Sequence, residues 1–211
     1  MALSGEALVV STLDGSVHAL DWETGEEVWA VTIGERLSSS PAVDDGVVYV
    51  GSDEGDVIAL DIRDGDELWR FRTEGQVFSS PLLVDRTLYV ASWDGFLYAL
   101  DMDTGDERWR FATGSEVYSS PSYADGIAYI GGVDGQFFAV DIDTGEELWR
   151  ADLGDGLIAT ASVSGELVFI GDGGGVLHAY DRTTGEARWE FETGALIPSS
   201  ASVIDDTVFV G

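Results

Sequence analysis

The side chains with the means to do chemistry in this 211-residue chain are two histidines, four serine pairs, forty acids and seven tryptophans. A serine becomes a nucleophile only beside a base. Ser39-Ser40, Ser79-Ser80, Ser119-Ser120 and Ser199-Ser200 have no histidine at catalytic spacing. They read as hydrogen-bonding groups of a narrow inner strand. Paired acids such as Asp101 and Asp103 have the chemistry to hold Ca²⁺. They lack the dense Asp-x-Asp-x-Asp-Gly spacing of a dedicated loop, so loosely held hydrated cations are the expectation. The chain has no cysteine, which excludes disulfides, zinc–thiolate sites and thiol nucleophiles. No metal site and no cofactor are expected.

These residues are set out by an internal repeat, the first thing to look for in a chain of this size. Trp29, Trp69, Trp109, Trp149 and Trp189 stand 40 residues apart. Asp21, Asp61, Asp101, Asp141 and Asp181 keep that step, as do Gly15, Gly55, Gly95, Gly135 and Gly175. Tyr49, Tyr89, Tyr129, Phe169 and Phe209 form a further column. The units run 12–51, 52–91, 92–131, 132–171 and 172–211, with no insertion, and are taken as a single domain. His18 and His178 share a column with Ile58, Tyr98 and Phe138. That apolar company predicts core histidines with satisfied nitrogens, not metal ligands.

Each unit reads as four short strands. In one, these are Ser79–Val84, Leu88–Ser92, Phe96–Leu100 and Glu107–Thr113, rich in β-branched, aromatic and aliphatic residues, with Asp and Gly between them. Phe96-Leu97-Tyr98-Ala99-Leu100 is apolar throughout, which fits a sheet buried on both faces. No stretch carries a helical apolar stripe. Four antiparallel strands per 40 residues is the size of a β-propeller blade. A sandwich has no need of one Trp per repeat. The expectation is an all-β propeller of about five four-stranded antiparallel blades.

The recurring string is Ala-x-Asp-x-x-Thr-Gly-x-x-x-Trp, as in Ala99-Asp101-Thr104-Gly105-Trp109 and Ala139-Asp141-Thr144-Gly145-Trp149. One copy departs, with Asp64 in place of Thr. The string resembles the tryptophan-docking repeat of the PQQ-like, quinoprotein-type β-propellers, and the resemblance covers residues 8–211. It implies that the repeated Trp packs between neighbouring blades against the Ala and Gly of the motif. The five tryptophans are then structural staples and not quinone-stacking residues. The family's enzymes resemble one another in holding pyrroloquinoline quinone with Ca²⁺, an acidic base and a vicinal cysteine pair; its non-enzymes include a scaffold lipoprotein of outer-membrane β-barrel assembly. Without cysteine, the vicinal pair is impossible here, and the chain is read as non-catalytic. Family members are commonly exported or held in the cell envelope, yet residues 1–7 lack the basic and apolar regions of a signal peptide, and no apolar run is long enough to span a membrane.

Propeller ligands sit on the face made by the strand two–three and strand four–one loops. There the repeats differ from one another. One sector offers Phe78, Trp93, Phe96 and Tyr118 near Arg36, Gln76 and Glu116. Aromatics with a few polar groups have the composition of an interface hot spot, and a protein or peptide is the partner this composition fits. Two alternatives stand beside it: aromatics that fill the channel mouth of freely drifting loops, and a quinone- or small-ligand-binding module truncated from a dehydrogenase. A purely structural or engineered repeat protein is a third. The ends pose a separate problem. Residues 8–33 read as strands two to four of a blade, and residues 197–211 as strands one and two. If the ring closes at five blades, strand one near 197–204 completes the first. Otherwise open strand edges provide for self-association.

Charge narrows the partners and the medium. Forty acids oppose ten bases, all arginine, for a net charge of −30. Such a surface repels nucleic acid and anionic lipid. Its self-repulsion strains a compact state unless screened, and at molar salt the Debye length falls to ~3 Å. Abundant acid without lysine resembles adaptation to high salt; the rival reading is an acidic interaction surface, against which the acids are spread over the whole chain. Circular dichroism should therefore show unfolding as KCl falls below molar levels. An unchanged spectrum in dilute buffer overturns the salt adaptation.

Overall fold

The computed structural model describes residues 1–4, 7–205 and 207–211, with Ser4 described by its backbone alone. Among these residues there are 22 strands and no helix. The first sheet runs β1 (Ala2–Ser4), β2 (Ala7–Ser11), β3 (Ser16–Asp21) and β4 (Glu27–Thr32). The second follows 40 residues on with β5 (Ala42–Asp44), β6 (Val47–Gly51), β7 (Asp56–Asp61) and β8 (Glu67–Arg72). The third holds β9 (Leu82–Val84), β10 (Thr87–Ala91), β11 (Phe96–Asp101) and β12 (Glu107–Ala112). The fourth holds β13 (Ser122–Ala124), β14 (Ile127–Gly131), β15 (Gln136–Asp141) and β16 (Glu147–Asp152), and the fifth β17 (Ser162–Ser164), β18 (Leu167–Gly171), β19 (Val176–Asp181) and β20 (Ala187–Glu192). Each is a meander of four strands in chain order, the pattern of a propeller blade. β21 (Ser202–Ile204) and β22 (Thr207–Phe209) make a two-stranded sheet of their own. The chain divides into two compact units, Met1–Asp94 with Tyr98–Arg108, and Gly95–Leu97 with Trp109–Gly211, so the third sheet supplies residues to both.

The first blade departs from expectation. Its strand one does not come from the C-terminal residues: Ala2 pairs with Val9 and Leu3 with Leu8. This is the register of Ala42 on Tyr49 and Val43 on Val48 in the second blade. The C-terminal strands pair with each other instead, Ser202 on Phe209.

Local chemistry explains why the strands stop and return where they do. Asp21 Oδ1 accepts hydrogen bonds from the Glu23 and Thr24 amides and from the Thr24 hydroxyl. An acid that satisfies the turn's own amides favours this bend over continued extension. The same bonds recur at Asp141 with Asp143 and Thr144. Where Asp64 replaces Thr, its Oδ1 accepts the Asp66 amide, the bond Thr104 Oγ1 accepts from Asp106 in the next blade.

A β-bulge then aims the tryptophan. Register slips between Ala19 and Leu20, leaving Ala19 opposite Trp29; the slip recurs at Ala59, Ala139 and Ala179. A bulge bends the strand and re-aims a side chain. The small Ala stands opposite the Trp in its own blade, and the ring covers the glycine of the next repeat. A Cβ on Gly65 would come within 2.8 Å of the Trp29 ring, on Gly105 within 2.6 Å of Trp69, on Gly145 within 2.7 Å of Trp109, and on Gly185 within 2.6 Å of Trp149. The indole N–H finds a backbone partner across the same contact. Trp29 donates to the Ile62 carbonyl at 2.7 Å, Trp69 to Met102 at 2.9 Å and Trp149 to Arg182 at 3.0 Å. These contacts seal apolar layers between blades, such as Val9, Val17, Ala19 and Trp29 against Val48, Val50, Ile58 and Leu60.

The serine pairs are structural. Gly51 N–H donates to Ser39 Oγ, while Ser79 Oγ donates to the Ala91 carbonyl and accepts its amide, both at 2.8 Å. The second member links repeats: Ser40 N–H donates to Ser80 Oγ, Ser120 N–H to Thr160 Oγ1, and Thr160 N–H to Ser200 Oγ. The paired glycines offer a direct test of the docking contact. Gly145 and Gly25 share a positive φ of 73°, but a Cβ at Gly25 meets nothing within 4 Å. In dilute protein, Gly25→Ala should show only the backbone cost, about 1 kcal/mol. Gly145→Ala should cost about 1–3 kcal/mol more from overpacking. Urea melts in molar KCl measure both, and equal losses overturn the docking account.

Candidate binding face

The loop face is built by a peg and a stitch. In each strand four–one loop the central residue is buried: Leu37, Val77, Val117, Leu157 and Ile197. A Cβ on Gly51 would lie 2.4 Å from Val77 Cγ1, one on Gly131 2.7 Å from Leu157 and one on Gly171 2.5 Å from Ile197, so in these three repeats strand two is glycine where the peg enters; Ser11 and Ala91 stand there in the other two. Burying that residue turns its two neighbours outward, because side chains alternate. The backbone then ties the two loop sets together. Asp53 N–H donates to the Arg36 carbonyl at 3.0 Å, Trp93 to Gln76 at 2.9 Å, Val133 to Glu116 at 3.0 Å and Gly173 to Gly156 at 3.0 Å. Each stitch joins one variable residue to another.

The structure thus brings Arg36 to Asp53, with Arg36 Nε 3.2 Å from the Asp53 carboxylate. Asp53 also accepts the Ser38 amide and hydroxyl, at 3.0 and 2.9 Å. Gln76, Phe78 and Trp93 form a second group in the same compact unit. Phe78 and Trp93 meet edge to face with centroids 5.4 Å apart, a geometry favoured by the ring quadrupoles. Trp93 stays 40% exposed. In the other unit, Glu116 and Tyr118 flank the Val117 peg, and Tyr118 is 45% exposed. Phe96 opens β11 and lies beneath the Arg110 guanidinium, 5.1 Å from its ring centroid. Its column faces strand four: Asp56, its counterpart, holds Arg70 and Arg72 at 2.7 and 2.9 Å.

The histidines differ from each other. His178 is buried, and its Nε2 lies 2.9 Å from Asp172 Oδ2, itself buried. Asp172 Oδ1 accepts the Val176 amide at 2.7 Å. His178 Nδ1 lies 3.4 Å from Glu190 Oε1 but outside hydrogen-bond geometry. The Asp172–His178 pair escaped the sequence reading. Its signal was Asp172 standing where Ser52 and Ser92 stand in other repeats. His18 is half-exposed and pairs through Nδ1 with Glu27 at 2.9 Å.

Against this geometry, comparison with known proteins is decisive for the family. The family model described as outer membrane protein assembly factor BamB matches residues 13–122 and 94–211. The chain belongs to this family of PQQ-like repeat β-propellers. No curated protein matches it. Among solved structures it is similar to BamB from Moraxella catarrhalis, at 24% identity and a TM-score of 0.90, over 100% of this chain and 69% of that one. It is also similar to the computationally designed Ika8 protein, at 21% identity and 0.89, over 100% of this chain and 67% of that one. Quinohemoprotein alcohol dehydrogenase from Comamonas testosteroni matches at 19% identity and 0.78, over 90% of this chain and 42% of that one. At these identities the likeness carries the fold alone.

The chain lacks any cysteine for a vicinal pair, and among the described residues no three His, Cys, Asp or Glu side chains converge as a metal site. The turn acids that resembled cation ligands spend their oxygens on backbone amides and arginines. Asp101 accepts the Asp103 and Thr104 amides and pairs with Arg108 at 2.8 Å.

Arg108, then burial opposing it, then those amides set the Asp101 carboxyl, which is held at about 2 against an ordinary 3.8. Asp61 is likewise held at about 2, chiefly by Arg63. A depressed folded pKa contributes stability above the unfolded value and loses it as pH falls through the folded one. These turns should therefore support the fold fully above about pH 4 and cease to between about 4 and about 2. Thermal melts of wild type and Arg108→Gln in molar KCl should differ at pH 7 and converge towards pH 2. A difference that ignores pH overturns the role given to Arg108.

Proposed function

We propose that this family member is a non-catalytic scaffold, adapted to concentrated salt, that binds a protein or peptide on its loop face. The observation that carries the reading is the repeated stitch. A fixed backbone frame, identical in four repeats, displays residues that differ at every repeat. Constant scaffold with variable display is how rigid folds present recognition residues. Trp93 and Tyr118 keep about two-fifths of their surface exposed, and such rigid aromatics supply contact area at low entropic cost. Membership of a family described as an assembly factor supports a protein partner. The non-catalytic reading rests on the missing cysteine pair and on serines and turn acids committed to backbone bonds. High net charge leaves apolar and aromatic contact as the attraction that survives molar salt, since screening removes steering by exposed charge. No helix is long and apolar enough to cross a membrane among the described residues.

A displayed peptide library selected on the immobilised chain in molar KCl tests the reading. Enriched peptides should carry aromatic or aliphatic anchors. Trp93→Ala, Phe78→Ala or Tyr118→Ala should weaken them by about 1–3 kcal/mol with melting unchanged. Peptides indifferent to all three substitutions, or no enrichment, would sink it.

A further inference from the structure

The fifth repeat closes its strand two–three loop with a buried titratable pair. In the second blade a neutral group does this work: Ser52 Oγ accepts the Asp56 amide at 3.1 Å. The fifth blade has Asp172 there, 2% exposed, and its Oδ1 accepts the Val176 amide at 2.7 Å. The Asp172 backbone carbonyl also accepts the Gly175 and Ile197 amides, both at 3.3 Å. Between these bonds runs Gly173-Gly174-Gly175, which has no side chain of its own to fix it. Asp172 thus holds a glycine loop and the amide of the Ile197 peg together.

A buried carboxylate is costly unless its charge is paired. Among the described residues no arginine pairs with Asp172; His178 does, with Nε2 2.9 Å from Oδ2. The other ring nitrogen, Nδ1, is buried and faces Glu190 Oε1 at 3.4 Å, across the register of β19 and β20. A neutral imidazole that donates from Nε2 turns its Nδ1 lone pair toward that carboxylate, whereas an imidazolium donates from both nitrogens. The ring lies between two acceptors and has a proton for each only when charged. Other titratable groups surround it. Tyr180 stacks on the ring at 17° with centroids 6.2 Å apart. Burial, then the Glu190 and Asp172 charges, push its phenol up, so it stays neutral where imidazole titrates. On β20, Arg188 is held by Asp181 at 2.6 Å, and Glu192 stands across from Val176. The fourth blade packs into the same core as Tyr180 through Ala151 and Leu153. There Arg150 pairs with Glu147 at 2.8 Å, Asp152 accepts the Gly154 amide at 3.0 Å, and Asp155 Oδ2 lies 2.5 Å from where a Cβ on Gly174 would stand.

The third blade makes a similar tie with a phenol. Tyr98, in the His178 column, donates its hydroxyl to Asp94 Oδ2 at 2.7 Å, and that carboxylate oxygen accepts the Glu74 amide at 2.9 Å. A phenol keeps its charge between about pH 5 and 8, and an imidazole does not.

We propose that His178 is a pH-operated latch on the Asp172–Val176 loop. As imidazolium it neutralises Asp172 and bridges it to Glu190, and the loop is locked. As neutral imidazole it leaves the buried carboxylate uncompensated and sets its own lone pair against Glu190, and the loop loosens. The lock is present on the acid side of the ring's titration and is lost as pH rises through it. Asp172, His178 and Glu190 all lie in one compact unit, and the latch acts on loop order whether or not a peptide binds the face.

Amide hydrogen exchange in molar KCl, expressed as protection relative to the unstructured rate at each pH, reads the latch. Protection of Val176 and Gly175 should fall by about tenfold or more between about pH 5 and 8, the worth of one hydrogen bond to a charged group. The Glu74 amide in the third blade should keep its protection over the same span. His178→Tyr installs the third blade's phenol, and Asp172→Ser the second blade's hydroxyl. In both, the pH dependence at Val176 should vanish, with folding checked by circular dichroism. Glu190→Gln changes a side chain that is 62% exposed. It should keep the fold and move the midpoint of the loss to lower pH by about half a unit or more, so it carries the test if the buried substitutions misfold. Flat protection at Val176 in the wild type overturns the latch. So does a pH dependence that survives Asp172→Ser or His178→Tyr, or a midpoint indifferent to Glu190→Gln.

Discussion

An indole lying on a glycine holds this fold together. A tryptophan buries a large apolar surface and carries one N–H that needs an acceptor. Both demands are met only if the facing backbone can come within van der Waals distance of the ring. Any Cβ at Gly65, Gly105, Gly145 or Gly185 would stand under 3 Å from indole carbons. The close approach in turn places a carbonyl of the same turn in line with Nε1. One glycine therefore supplies both packing and the hydrogen bond, and the aspartate turn that holds the glycine becomes part of the core.

The remaining regularities follow from that contact. Ala stands across the strand from Trp because a larger residue would lift the ring, and the bulge beside it re-aims the strand. The repeat length cannot drift, because an inserted residue would move the glycine off the ring. The serine ladder does a similar job at the inner strand with polar groups, tying repeats at equivalent positions. Blades are thus held at both the strand-four turn and the inner strand, which leaves the loops between free to vary.

Function on such a frame separates from stability. Buried pegs such as Val77 and Leu157 anchor the loops, and residues beside them vary without disturbing what they anchor. Acidic turns serve the backbone first: Asp21, Asp61, Asp101, Asp141 and Asp181 each accept amides of their own turn. Part of the large negative charge is therefore architectural.

The 40-residue period, the strand count per repeat, the structural role of the tryptophans and the hydrogen-bonding role of the serines were legible in the sequence alone. Each repeats in register, and a repeated residue type reports a repeated environment. The variable columns of the strand two–three and strand four–one loops stood out against constant ones for the same reason, and backbone bonds join the two loops pairwise. Three things were decided only by tertiary structure. Ala2–Ser4 became strand one of the first blade through pairing with β2, which its composition, unlike the other strand-one segments, did not signal. Asp172 reaches His178 in the fifth repeat alone: histidine recurs in its column at His18, but aspartate stands in the other column only once. Phe96 met Arg110 because its column faces strand four, a cross-strand matter invisible in a linear reading. Periodicity reveals what every repeat shares; contacts that occur once depend on three-dimensional neighbours, and no period announces them.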